Sequence, residues 1–173
     1  MDLETAVRTR RTHKAYGPDP VPVATLDALF DLARWAPNHR VTNPWRFRVL
    51  GPDARAALEA ATEERQPGSA VKLRRAPTLV ALSYTRTFTD PDQDNEDRLA
   101  AAMAGYIVLL GAHARGLAGY WRTVPLLTES AGRAALDIPD EEEPLGMLYL
   151  GTPLEDQRVP ERAPLESFVT YLD

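Results

Sequence analysis

The chain has 173 residues, 44% of them hydrophobic, and a formal net charge of −5; the length suits one domain and the apolar share is enough to bury a core. With no cysteine, disulfides, thiolate nucleophiles and zinc ribbons are excluded, and a reducing compartment, the cytoplasm, is the expected location. An acidic balance argues against a nucleic-acid binder with a wholly basic surface, and the longest apolar run, around Ile107–Leu110, is far too short to span a bilayer. Neither nucleic acid nor membrane is an expected partner.

Asp2 can cap a short helix reading Leu3, Ala6 and Val7, which the run Tyr16-Gly17-Pro18-Asp19-Pro20 interrupts. From Pro22, Leu26, Leu29, Phe30 and Ala33 recur at helical spacing until Ala36-Pro37. Trp45, Phe47 and Val49 alternate through a strand that closes at Gly51-Pro52, and a helix is expected from Asp53 to about Arg65. Ala76 to Tyr84 is a continuous apolar stretch of strand length, expected at the centre of a sheet. The acidic segment Asp90–Asp97 is expected to precede and cap a long helix, Glu96 to Arg115, carrying Leu99, Met103, Tyr106 and Leu110. A strand at Gly119–Arg122, a helix at Glu129–Leu136 and a strand at Leu145–Gly151 follow. In the tail, about 158–173, Phe168–Leu172 is an apolar end on a polar segment, suited to adding a strand to a partner.

Three stretches combine residues with chemical potential. Arg8, Arg10, Arg11 and Lys14 place four cations within seven residues of an acidic chain; they suit a phosphate, which accepts several charge-assisted hydrogen bonds, but taken alone they read first as a solvated helix end favoured by the macrodipole. Ala36–Arg40, with Asn43–Phe47, brings Asn, His and Arg into one loop, open to a heterocycle edge or to plain turn chemistry. Gly119–Pro125 carries an aromatic, a cation and a hydroxyl at a strand end. The three histidines, His13, His39 and His113, have no metal-ligand spacing, and the Asp90, Asp92, Asp94 triple lacks the glycine and the glutamate of a calcium loop. No metal site is expected. Rossmann, P-loop and hydrolase-elbow signatures are missing too.

Taken together and in order, Arg10-Arg11-Thr12-His13-Lys14-Ala15-Tyr16, Ala33–Asn38, Asn43–Phe47, Gly116–Thr123, Leu148–Pro153 and Phe168–Tyr171 resemble the nitroreductase superfamily, in particular its small YdjA-like branch. The resemblance implies an α+β fold: a three-layer sandwich with a mostly antiparallel sheet, flanking helices and a long central helix, in one domain over 1–173. It also implies a homodimer with FMN at the subunit interface, the tail docking on the partner. By motif, Arg10, Arg11 and Thr12 would bind the flavin phosphate and ribityl chain, and Lys14 the pyrimidine edge. Trp35 would fill a pocket position, His39 would come from the same or the partner subunit, and Trp121, Arg122 and Thr123 would run alongside the flavin. Many relatives have Gln where Asn43 stands.

The activity so implied is an FMN-dependent NAD(P)H oxidoreductase. It would work by a ping-pong scheme, with a nitroaromatic, quinone or similar small molecule as acceptor, and no side chain is singled out as catalytic acid or base. The alternatives are a non-catalytic flavin-binding dimeric module, or a relative with dehalogenating or flavin-fragmenting chemistry.

Overall fold

A computed structural model describes residues 1–172. Five helices run in chain order as α1 (Leu3–Thr9), α2 (Val23–Ala33), α3 (Pro52–Arg65), α4 (Pro91–Ala114) and α5 (Ser130–Ala135). The strands are β1 (Trp45–Val49), β2 (Thr78–Thr85), β3 (Ala118–Arg122) and β4 (Glu142–Gly151), in the sheet order β1-β2-β4-β3 with every pairing antiparallel. The fold is therefore α+β, as expected.

Strand alternation sorts the core into two halves. Leu79, Ala81, Met147 and Tyr149 face one way, onto Leu58 of α3 and Leu126, Leu127 and Leu136. Val80, Leu148 and Leu150 face the other, onto Leu26, Leu29 and Ala33 of α2 and Ala104, Val108 and Ala112 of α4. Helices thus cover both faces of the sheet, which makes three layers. β2 and β4, the two central strands, are buried almost throughout, which is why they read as continuous apolar runs.

The long helix begins earlier than its periodicity suggested. Asp90 is its N-cap, accepting from the Gln93 amide at 3.1 Å, and Pro91 occupies the first turn. The acidic segment expected to precede the helix is instead its first two turns, with Asp92 and Asp94 at the positive end of the macrodipole. α4 then spans 24 residues, about 36 Å at the helical rise. Most of its inward face is small, Ala100, Ala101, Ala104, Gly105, Gly111 and Ala112, with Val108 and Leu109 the larger members, so the backbone lies close on the sheet around Gly105.

β4 starts three residues before the expected Leu145 because it carries an irregularity: Leu82 pairs with Gly146 but Ser83 with Pro144, leaving Leu145 as an extra residue. Gly146 has φ 139°, a conformation that excludes a β-carbon. Beyond β4 the chain crosses back beside α1, and the expected strand at Phe168–Leu172 is not formed in the single chain; a 3-10 turn at Leu165–Ser167 precedes it and Phe168, Tyr171 and Leu172 are exposed. No helix is long and apolar enough to cross a membrane among the described residues.

Candidate functional site

The basic segment leaves α1 as extended chain along the outer edge of β3. Thr12 forms a parallel bridge with Gly119, and the His13 amide donates to the Gly119 carbonyl at 3.4 Å. Since Gly119 turns its backbone groups outward, the two-residue repeat sends those of Trp121 and Thr123 to the same open edge. Sequence positions more than a hundred residues apart thus line one strip of surface.

Arg10 and Arg11 are half-buried. The Arg10 guanidinium stacks over the Tyr106 ring of α4, 5.8 Å from its centroid, and Arg11 Nη1 donates to the carbonyls of Arg8 and Arg10 at 2.7 and 2.8 Å. These contacts fix both side chains while leaving Arg10 Nε and Arg11 Nε buried without an acceptor. Buried donors without partners are rare and point to a missing ligand or water. A cavity of about 220 Å³ adjoins the two side chains, lined by Arg10, Arg11, Thr12, Gln157, Arg158, Pro160 and Arg162. Four guanidinium groups, a hydroxyl and an amide face one small volume that no carboxylate lines, and none of the four arginines is in an ion pair among the described residues. The donor set matches a phosphate.

Arg158 and Arg162 were not singled out from the sequence. They lie in a polar tail about 150 residues from Arg10, with no local signal of their own beyond a basic residue on either side of Val159-Pro160-Glu161. Only the return of the chain beside α1 brings them to the cavity.

The histidines near this corner are structural neighbours of the cradle. Burial pushes the His13 imidazole below its ordinary value; burial, and then the proximity of Arg10, do the same for His113. Both are thus mainly neutral near pH 7, and the positive charge here is the arginines'. The Thr9 hydroxyl donates to the Thr5 carbonyl at 2.6 Å, so it accepts from His113 Nε2 at 2.7 Å, which fixes the protonated nitrogen of that ring.

The strand-end residues divide by role. The Trp121 indole lies under α4, against the face of Gly105, and donates to the Leu145 carbonyl at 3.2 Å; that carbonyl belongs to the extra residue of β4, so the indole satisfies an acceptor in the irregular stretch. On the opposite face of the sheet, Arg122 Nη1 donates to the Tyr149 hydroxyl at 2.9 Å. Both side chains are committed inside the protein, and only backbone at Trp121 and Thr123 faces the strip beside Thr12. Thr123 and Lys14 are exposed.

Two expected site residues lie elsewhere in the single chain. Trp35, 74% exposed, ends α2 in an apolar groove of about 470 Å³ that it shares with Leu3, Leu32, Ile107 and Leu110. His39 sits 4.0 Å from Glu96 in the first half of α4, whereas Arg10 meets the same helix at Tyr106, ten residues or roughly 15 Å further along. Within one chain His39 and the arginine cavity are not brought together.

The loop that carries His39 is bent sharply. Arg40, Val41 and Asn43 have φ of 56°, 52° and 50°, and for a β-branched valine this left-handed conformation is a true outlier, at a cost of about 1–3 kcal/mol. Asn38 spans the bend: its Oδ1 accepts from the Asn43 amide at 2.7 Å and its Nδ2 donates to Thr42 Oγ1 at 2.9 Å.

A family model described as the nitroreductase family matches residues 7–152. Among curated proteins, the chain is 24% identical to YfhC of Bacillus subtilis, provisionally named an NAD(P)H nitroreductase, over 98% of this chain and 94% of that one. It is 30% identical to the 5,6-dimethylbenzimidazole synthase of Rhodospirillum rubrum, over 92% of this chain and 85% of that protein. Among solved structures, a nitroreductase-like family protein from Bacillus cereus superimposes with a TM-score of 0.90 at 18% identity, covering 100% of this chain and 97% of the other. The FMN-dependent nitroreductase NfnB from Mycobacterium smegmatis, solved with NADPH, gives 0.80 at 20% identity over 98% and 97%. At these identities the structural matches speak for the fold.

Proposed function

Since the chain belongs to the nitroreductase family, we propose that it is a homodimeric, FMN-dependent oxidoreductase that takes reducing equivalents from NAD(P)H and passes them to a nitroaromatic, quinone or similar small acceptor. The observation that carries this reading is the arginine cavity, whose four guanidinium-bearing side chains, with Thr12 and Gln157 and no carboxylate in the lining, suit a phosphate monoester. Arg10, Arg11, Arg158, Arg162 and Thr12 would hold that phosphate. Further along the same segment Lys14 would stand at the ring, where a cation supports negative charge on the pyrimidine edge. Outward backbone groups of Trp121 and Thr123 would border the ring. Bound in this way, FMN supplies the hydride and electron chemistry that no side chain of the chain can provide.

Dimerisation is supported by the outer face of α4. Leu99, Met103, Tyr106 and Leu110 recur at helical spacing, and the first three are exposed, an apolar stripe that continues into the groove of Leu3, Leu32 and Trp35. Patches of this kind mark association surfaces. Because Arg10 stacks on Tyr106, the cradle abuts the stripe, so a second copy seated there would bring its own His39 and Trp35 towards the first copy's cofactor. The tail, with Leu165, Phe168, Tyr171 and Leu172 exposed, would then dock on the partner.

The reading is tested by titrating the purified protein with FMN and then adding NADPH or NADH under argon. Stoichiometric binding followed by bleaching of the visible flavin band is expected; a protein that binds no FMN overturns the reading, and one that binds FMN without bleaching is a flavin-binding module. The relative from R. rubrum favours a second reading, synthesis of a dimethylbenzimidazole-type product. Mass spectrometry of the reduced protein exposed to air separates the two: intact FMN supports the oxidoreductase, and a benzimidazole product supports the second.

A further inference from the structure

Asp97 lies one and a half turns into α4 and is 1% exposed, yet among the described residues no cation pairs with it. It is held by three donors: Thr42 Oγ1 at 2.5 Å and Gln93 Nε2 at 2.9 Å on Oδ1, and Thr87 Oγ1 at 3.1 Å on Oδ2. A carboxylate kept out of water without a counter-charge is expensive, and Gln93 adds to the cost with a buried Oε1 that has no partner. Such an arrangement calls for a reason beyond packing.

The reason lies in what Thr42 joins. Its hydroxyl proton goes to Asp97 while its oxygen accepts from Asn38 Nδ2, and Asn38 Oδ1 takes the Asn43 amide. A continuous relay, Asp97–Thr42–Asn38–Asn43, therefore clamps the bend whose Arg40, Val41 and Asn43 are left-handed. The other hydrogen bonds of the bend are short-range: from the Val41 amide to the Asn38 carbonyl at 3.4 Å, Asn38 Nδ2 to the His39 carbonyl at 3.3 Å, Asn43 Nδ2 to the Val41 carbonyl at 2.8 Å and Arg46 Nη1 to the Asn43 carbonyl at 2.8 Å. Its remaining contacts are the exposed Arg40–Asp90 and His39–Glu96 pairs, which are worth little on a surface; Thr42–Asp97 is the tie to a buried group. We propose that Asp97 is a positioning residue: through Thr42 it locks the Asn38–Asn43 bend so that His39 is presented, preformed, to the flavin bound by a second copy. This inference rests on the flavin reading above.

Thr42→Val removes the relay hydroxyl at constant shape, Thr42→Ser restores it, Asp97→Asn keeps the size of the carboxylate, and Thr87→Val removes only the contact on the far oxygen. Two readouts are taken on the full chain: the rate of tryptic cleavage after Arg40, followed by mass, and FMN affinity by flavin fluorescence. Thr42→Val and Asp97→Asn are expected to be cleaved after Arg40 about tenfold faster and to bind FMN about tenfold more weakly, the factor a hydrogen bond to a charged acceptor is worth. Thr42→Ser is expected to return to wild-type behaviour and Thr87→Val to stay near it. Wild-type cleavage in Thr42→Val overturns the clamp, and faster cleavage with unchanged FMN affinity overturns its role at the cofactor. If the wild-type protein binds no FMN at all, it is the flavin reading that fails, and cleavage after Arg40 still decides whether Asp97 holds the bend.

Discussion

Arg10 and Arg11 show what a single residue can contribute when its geometry is fixed before any ligand arrives. Stacking on Tyr106 and two carbonyl contacts hold their guanidinium groups in place beside a cavity that no carboxylate lines. Replacing both by alanine removes two charge-assisted hydrogen bonds of about 1.5–3 kcal/mol each, so FMN affinity measured by fluorescence should fall by about a hundredfold or more. The melting temperature should fall by a few degrees at most, the cost of the Tyr106 stacking and the two carbonyl contacts of Arg11. Glu142 shows the opposite case, a charge used for the fold. Burial alone would raise its carboxyl, but hydrogen bonds from Arg48, at 2.6 and 3.0 Å, and from Ser83 outweigh it and hold the group below its ordinary value of 4.5. A depressed carboxyl stabilises the folded state fully above its unfolded value and loses that contribution as pH falls through the folded one. Stability followed by chemical denaturation should therefore drop as pH falls below 4.5, and Glu142→Gln should flatten that drop. Arg48→Leu, which strands the buried carboxylate, should cost about 3 kcal/mol at pH 7.

At the scale of elements, α4 organises the molecule because its inward face is mostly small residues. A β-carbon on Gly105 would meet Leu82 Cδ2 at 2.6 Å and Trp121 Cζ3 at 2.7 Å, closer than side chains pack. Gly105→Ala is expected to force the helix off the sheet and to cost about 1–3 kcal/mol, read as a melting temperature several degrees lower by calorimetry. Since Trp121 also caps the extra carbonyl of β4, the substitution should perturb the β3 edge and weaken FMN binding as well. The helix itself was legible in the sequence by its periodicity. Its start was not, because the acidic segment Asp90–Asp97 reads as preceding and capping a helix that begins at Glu96, and only the hydrogen bond from the Gln93 amide to Asp90 puts Asp92 and Asp94 in the first turn. For Trp121 and Arg122 the resemblance named a segment beside the flavin, while the sheet face on which each side chain lies, and its partner in the Leu145 carbonyl or the Tyr149 hydroxyl, came only from the structure.

For the whole molecule, the decisive surface is the stripe of Leu99, Met103, Tyr106 and Leu110. Met103→Glu places a charge at its centre; light scattering on a sizing column should show a monomer, with FMN affinity reduced because the second copy's contribution is lost. A persistent dimer with full affinity would place the interface elsewhere. The sequence by itself carried the long helix and the central strand that became β2, because periodicity is a property of neighbouring residues; the class of the fold came from the resemblance of several motifs taken in order, and the charge of Arg10–Lys14 alone left a phosphate site and a solvated helix end both open. What only the tertiary structure decided was which distant residues share a volume. Arg158 and Arg162 reach the cavity because the chain recrosses α1, and Asp97 reaches Thr42 because a bend of the loop after α2 folds over the start of α4. Those meetings depend on packing across long loops, and no local pattern of residues carries them.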